Sequence, residues 1–324
     1  MSATRTRPAI ETAPVGPGSL LWVIAGDPRG LLPGTAAGLM QLMLPGLGAG
    51  VTDHSNFFDD PYDRIFRSIP FIWRSIFTEG TEGDASGRTI RDFHTAIKGV
   101  DHHGARYHAL DPEIFWWAHA TFTREFFRAR RLFVPGRPSR SDDEQLYAET
   151  VTWYRRYGVS DRAVPPTLDD FEARFEDICA HELELTPAVS WVLDPATNPG
   201  PSRPPRLPGP LSAFDGVATS VTSDVLRVIV YGCLPDVVRR RFDFRWTDLD
   251  RARFAAVCAA TGRRARRSGS ASSSRSGRPA PRTSIHAIVA GWWSPDDATA
   301  GAQSSSSPGS PSSMSQRSLQ SSHR

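Results

Sequence analysis

Cysteine is scarce in this sequence, and several familiar catalytic motifs are missing. Only Cys179, Cys233 and Cys258 occur among the 324 residues, and no two of them form a CxxC pair. This spacing excludes a disulfide-stapled scaffold and a thiolate zinc site. The sequence also has no GxSxG, no GxGxxG opening a helix after a strand, no P-loop and no HExxH. Serine hydrolases, dinucleotide-dependent dehydrogenases and NTPases therefore find no support.

Lysine is almost absent, and positive charge is unevenly distributed. Lys98 is the only lysine, and the other 37 basic side chains are arginines, which is typical of a GC-rich gene rather than of a function. Residues 263–324 have a net charge of +7, whereas residues 1–262 have a net charge of −4. A mildly acidic body argues against a nucleic-acid partner.

Charge is missing altogether from residues 30–52. The length suits a membrane span, but Pro33, Pro45 and six glycines interrupt the segment. We therefore predict a buried core helix over about 35–44, with a membrane-associated edge as the alternative. The first 17 residues have no apolar stretch of the kind that a secretory signal needs. We expect a cytoplasmic protein whose contact with membranes is at most peripheral.

Helical periodicity and capping residues predict a mostly α fold. Helices are expected over about 60–77, 86–98, 111–134, 142–157, 167–183, 211–231 and 247–260. A small hairpin is expected to pair residues 99–100 with 106–108. The seven prolines of residues 194–210 predict an extended connector.

Three regions follow from these patterns. Residues 1–17 are expected to be a flexible lead-in, and residues 18–262 form the predicted domain. Residues 263–324 contain nineteen serines and no sustained periodicity, which predicts a disordered tail. Because the last helical pattern breaks off abruptly, an out-of-frame reading of the gene is a further hypothesis for this tail.

Residues 88–127 carry five of the nine histidines. On the predicted 86–98 helix, Arg91, His94 and Lys98 recur at helical spacing. An imidazole between two cations suits a haem, whose iron binds the ring and whose propionates meet the cations. From spacing alone, a solvated basic face with one histidine on it is the simpler explanation.

A second histidine of this stretch, His119, shares its predicted helical face with three phenylalanines. A histidine that points into an aromatic core is either hydrogen-bonded structure or a site residue in an apolar pocket. The loop histidines His102, His103 and His108 form a weak metal-binding pattern, which we keep as an alternative. Arg64 and Arg67 share a face of the earlier 60–77 helix, where an exposed helix surface is the simple interpretation.

Several motifs in fixed order resemble the MpaB-type and rubber (latex-clearing protein) oxygenase family. The resemblance covers roughly residues 18–260, and residues 86–122 are its most specific part. The motifs are Gly18-Ser-Leu-Leu-Trp22, Gly26-Asp-Pro-Arg29, Asp53-His-Ser55, Asp60-Pro-x-x-Arg64-x-x-Arg67-Ser68, Ile90-Arg-Asp-Phe-His94-x-x-Ile-Lys-Gly99, Tyr107-x-Ala-x-Asp-Pro112 and Trp117-Ala-His-Ala-Thr121.

The resemblance implies an all-α, globin-like domain that holds haem b and uses O2 on a small lipophilic substrate. His94 would be the axial iron ligand, and Arg64 would match the arginine of the family's distal Arg-x-x-Lys-Thr motif. Arg67 and Ser68 stand where rubber oxygenases have lysine and threonine. Arg91 and His119 would be haem-pocket residues.

A second departure from the family pattern limits what the resemblance implies. Asp53 is the nearest acid to the carboxylate base of rubber cleavage, and it matches poorly. Rubber itself is therefore not the expected substrate. The alternative function is a non-catalytic or degraded relative that binds an apolar ligand or a membrane surface.

Overall fold

Helix-forming segments separated by capping residues produce an all-α fold, as the sequence predicts. The computed structural model describes residues 10–59, 61–194 and 215–270, with side chains described within 10–59, 67–194 and 224–262. Within these ranges there are twelve α-helices and one two-stranded sheet. The helices are α1 (Leu20–Ala25), α2 (Gly34–Leu42), α3 (Pro45–Asp53), α4 (Pro61–Phe77), α5 (Gly80–Phe93), α6 (Pro112–Leu132), α7 (Arg140–Arg156), α8 (Leu168–His181), α9 (Pro187–Leu193), α10 (Asp215–Cys233), α11 (Asp236–Arg241) and α12 (Asp248–Ser270).

The uncharged segment forms two helices rather than one. Pro45 has no backbone N–H to continue α2, but it suits the first position of α3. Ala36 and Met40 of α2 are fully buried, which confirms the predicted core helix. No helix in the described ranges is long and apolar enough to cross a membrane.

Capping side chains start α6 and α8 where the sequence predicts them, and start α7 two residues earlier than predicted. The Asp111 carboxylate accepts the backbone N–H of Glu113 at the start of α6. The Thr167 hydroxyl accepts the N–H of Asp170 at the start of α8, and Ser139 forms a capping box with Asp142 on α7. These bonds satisfy amides that a helix start leaves without a partner, so they set the first residue of each helix.

The bounds of α5 differ from the predicted 86–98 helix. The helix begins at Gly80, six residues earlier than predicted, and its Gly83 and Gly87 permit close packing against Arg156 of α7. It ends at Phe93, and His94 is the C-cap. The following chain is drawn into strand pairing, so Lys98 lies on a strand and does not share a helical face with Arg91 and His94.

The predicted hairpin is confirmed. Strand β1 (Lys98–Val100) pairs antiparallel with β2 (Arg106–His108), with Gly99 opposite Tyr107. The buried Tyr107 phenol donates to Asp53 Oδ2 of α3 at 2.7 Å. The hairpin is thereby fixed to the helical body directly after His94.

The centre of the core lies between α6 and α7. Trp116 and Trp117 of α6 and Trp153 of α7 are almost completely buried. The buried Arg156 guanidinium at the end of α7 donates to the carbonyls of Ser75 (2.7 Å), Ile76 (3.2 Å) and Thr78 (2.9 Å) at the end of α4, and to that of Val15 (3.1 Å). One cation thus satisfies carbonyls that the end of α4 would otherwise leave without donors.

The carboxyl-terminal helices pack through a close contact of α10 and α12, where the Phe254 ring lies against Gly232. Helix α12 continues to Ser270, past the predicted domain boundary at 262. Residues 195–214 lie outside the described residues, and they include all of the predicted 194–210 connector except Asp194. Residues 271–324 of the predicted tail also lie outside them.

Candidate functional site

His94 lies at the junction between α5 and the hairpin, in a partly buried position. Its Nδ1 is 2.7 Å from the carbonyl oxygen of Ile90, which makes Nδ1–H the donor and Nε2 the basic nitrogen. The ring meets the buried Phe115 ring edge-on, with 5.7 Å between centroids. A histidine that ligates a metal typically has this arrangement, with its second nitrogen bonded to a carbonyl.

Aromatic rings connect His94 to His119. Phe115 contacts His94 on one side and Tyr157 on the other, at a centroid distance of 5.2 Å. Tyr157 in turn contacts His119 at 5.8 Å, and Tyr154 lies against both Phe115 and His119. A series of ring contacts therefore runs from His94 through Phe115 and Tyr157 to His119.

His119 is buried, as the phenylalanine spacing on its helix predicts. Its Nε2 donates to the Thr150 carbonyl at 3.0 Å, and its Nδ1 has no hydrogen-bond partner among the described residues. Burial lowers the pKa of His119 to about 3, so the imidazole is neutral at physiological pH. Its Nδ1 is therefore an unprotonated nitrogen in an apolar surrounding.

Helix α4 carries the arginine motif towards the end of α5. Helical spacing puts the positions of Arg64, Arg67 and Ser68 on the face that also carries Phe71. The Phe71 ring contacts Phe93 edge-on at 5.0 Å, one residue before His94. Arg67 is exposed and Ser68 half-buried, while the side chain of Arg64 lies outside the described residues. The motif and His94 thus belong to adjoining parts of the fold.

Arg91 takes a different position from the one the predicted helical face suggested. Its guanidinium pairs with Asp92 Oδ1 at 2.7 Å and lies close to Gly158 after α7. Asp53, the acid that best matched the carboxylate base of rubber cleavage, accepts a hydrogen bond from the Tyr107 phenol. Neither side chain contacts His94 among the described interactions.

The loop histidines are brought together with an acid that the sequence did not indicate. The Nε2 atoms of His102 and His103 lie 2.6 and 2.8 Å from Oε1 of Glu184. His108 does not belong to this group, and its Nδ1 accepts the backbone N–H of Leu110. The predicted trio of histidines is therefore wrong in its third member.

The surroundings of His94 also include residues that sequence reasoning missed. Phe71 and Phe93 lie on different helices, so only packing reveals their contact. Phe115 was predicted to share a helical face with His119, and the structure shows that its ring contacts His94. The available signal for Phe115 was its position one helical turn before His119, which marks it as part of an apolar helix face.

The fold and this site define an all-α domain with an aromatic-lined histidine at the end of one helix and a basic motif on the adjoining helix. Residues 22–263 match the family model described as ER-bound oxygenase mpaB/B'/Rubber oxygenase, catalytic domain. The chain belongs to this family of oxygenases, which confirms the resemblance drawn from its motifs. No curated protein and no solved structure matches the chain.

Proposed function

We propose that the protein is a haem-b-dependent oxygenase that uses O2 on a small lipophilic substrate, and that His94 would bind the haem iron. The observation that carries the proposal is the bond from His94 Nδ1 to the Ile90 carbonyl at 2.7 Å. It orients the imidazole and makes Nε2 the nitrogen that would bind iron. Membership of an oxygenase family supports the reaction class.

The described residues fit a porphyrin in their chemistry. A haem site needs one basic nitrogen, apolar walls and cations for the propionates. His94 offers the nitrogen, and Phe115, Phe71 and Phe93 provide apolar surface beside it. Arg67 is a cation on the face of α4 that also carries Phe71. Haem, when bound, would supply the chemistry that activates O2.

The chain's own residues have distinct roles in this proposal. His94 holds the cofactor, while Arg64, Arg67 and Ser68 stand at the positions of the family's distal motif. The neutral His119 and the rings of Tyr154 and Tyr157 extend the apolar surface from Phe115 into the core. Arg91 holds Asp92 at the surface, so its role in the pocket is limited to supporting the last turn of α5.

The substrate and the location form part of the same proposal. An aromatic-lined site favours an apolar molecule over a charged one. Such a substrate partitions into lipid, so a cytoplasmic enzyme would reach it by peripheral contact with a membrane surface. Val23 and Leu31, both exposed near the amino-terminal end of the described chain, are apolar side chains suited to that contact.

The proposal is tested by the absorption spectrum of the full chain produced with a haem precursor. We expect a Soret band in the wild type and a fall in haem affinity of more than about tenfold in His94→Ala. His181→Ala is the matched control, because His181 is an exposed histidine at the end of α8.

Two results would contradict the proposal. One is a Soret band of equal strength in His94→Ala and His181→Ala. The other is a folded wild type that stays colourless after incubation with haem, which would favour the alternative of a relative that binds an apolar ligand without catalysis.

A further inference from the structure

We propose that His102, His103 and Glu184 bind one divalent transition-metal ion, of which Zn²⁺ is the reference case. The three ligand atoms lie within 4.8 Å of one another. His102 Nε2 is 2.6 Å from Glu184 Oε1, and His103 Nε2 is 2.8 Å from the same oxygen. This site is separate from His94 and does not depend on haem.

The ligand types select the metal. Two imidazoles and one carboxylate form a ligand set that suits Zn²⁺, whereas Ca²⁺ and Mg²⁺ prefer all-oxygen sites. Three protein ligands leave a tetrahedral ion with one position for water. Side-chain exposures of 30%, 56% and 32% for His102, His103 and Glu184 leave the ion an open path from solvent.

The two histidines converge although they are neighbours in sequence. Asp101 Oδ1 accepts the backbone N–H groups of His103 and Ala105, both at 2.9 Å, which fixes the hairpin turn. In this turn the two imidazoles lie side by side, with centroids 4.1 Å apart and planes at 39°. A single histidine would form an ordinary surface pair with Glu184. The second histidine adds a third ligand atom, which a metal site needs.

Glu184 is also held in place before any ion binds. Its backbone N–H donates to the carbonyl of Met43 at 2.9 Å, just after α2. The ligands therefore come from two anchored segments, the hairpin turn and the link between α8 and α9. Because the backbone of both segments is already fixed, metal binding loses less conformational entropy than it would with ligands on flexible loops.

Binding of the ion is expected to link two segments of the fold. An ion would join the hairpin that follows His94 to the segment that contacts α2. A ligand that binds only the folded state raises its stability in proportion to the logarithm of ligand concentration. Zn²⁺ should therefore raise the melting temperature of the protein.

The test is calorimetric titration of the full chain, purified without added porphyrin, with ZnCl2. We expect one equivalent of Zn²⁺ to bind, and His102→Ala, His103→Ala and Glu184→Ala each to weaken binding by more than about tenfold. His181→Ala is the control, because His181 pairs with Asp177 at the surface in a pair that is not part of the three-ligand group. Circular dichroism would check that each variant is folded.

Replacing Zn²⁺ with Co²⁺ gives a second readout, because the visible absorption of Co²⁺ reports a tetrahedral nitrogen and oxygen site. The proposal would be overturned by the lack of saturable binding in the wild type. It would equally be overturned if a His102→Ala/His103→Ala double variant bound Zn²⁺ as tightly as the wild type, or gained the same rise in melting temperature. Failure here leaves the haem proposal unaffected, since that assay reads porphyrin absorption.

Discussion

Replacing Gly87 by alanine is expected to lower the free energy of unfolding by about 3 kcal/mol. A Cβ at Gly87 would lie 2.5 Å from the carbonyl carbon of Arg156 and 2.8 Å from its Cβ, with the Arg156 oxygen closer still. These atoms belong to α7, whose backbone cannot yield as the tip of a flexible side chain can. Helices α5 and α7 would have to separate, and the Arg156 bonds to the end of α4 would be strained.

The measurement is urea unfolding followed by circular dichroism, with Gly38→Ala as the matched control. Gly38 also lies inside a helix, but nothing lies within 4 Å of its ideal Cβ position. Alanine there is expected to raise the free energy of unfolding by up to about 1 kcal/mol, because glycine is the weaker helix former. Equal effects of the two substitutions would show that the contact between α5 and α7 is not tight.

Glu125→Gln is expected to stabilise the protein at alkaline pH and to have little effect near pH 5. Glu125 is only 3% exposed, and neither carboxylate oxygen has a hydrogen-bond partner among the described residues. Burial raises the pKa of Glu125 to about 8, although Arg124 and Arg128 act in the opposite direction. The charged carboxylate is therefore unfavourable in the folded protein.

The sign of the pH dependence follows from proton binding. The folded-state pKa of Glu125, about 8, lies above the ordinary value of 4.5, so the folded state binds more protons between these pH values. Stability consequently falls as the pH rises through this range, by up to about 4 kcal/mol from this group. Glutamine is neutral throughout, so the variant lacks this fall.

Urea unfolding of wild type and Glu125→Gln from pH 5 to 9 measures the difference, since other titrating groups are common to both proteins. Glu149→Gln is the control, because Glu149 is also buried but accepts the backbone N–H groups of Leu20 and Leu21 at 3.1 and 2.6 Å. Its substitution should destabilise the protein by about 1 to 3 kcal/mol at neutral pH. A pH-independent difference between wild type and Glu125→Gln would contradict the interpretation.

Local signals predicted the helices that begin with a strong cap. Asp111-Pro112 and Thr167 fix α6 and α8 through bonds within a few residues, so the sequence contains the whole cause. The burial of His119 was predictable for the same reason, because its face repeats at helical spacing. Pro45 splits the uncharged segment, because it cannot continue α2 and suits the first position of α3.

Contacts distant in sequence account for what the patterns could not predict. Gly83 weakens a helix locally, yet α5 begins before it and packs there against the Arg156 side chain of α7. The end of α5 at Phe93 depends on strand pairing with residues 106–108. Glu184 joins His102 and His103 from more than 80 residues away. No local sequence pattern predicts that Glu184 lies beside the two histidines.

The central claim, axial ligation by His94, is tested most directly by chemical rescue in His94→Gly. Removing the side chain leaves a space beside Phe115 that free imidazole can fill. We expect the variant to lose the absorption spectrum of a nitrogen-ligated haem and to regain it saturably as imidazole is added, while His181→Gly keeps it throughout. A nitrogen-ligated spectrum in His94→Gly without imidazole would contradict the assignment.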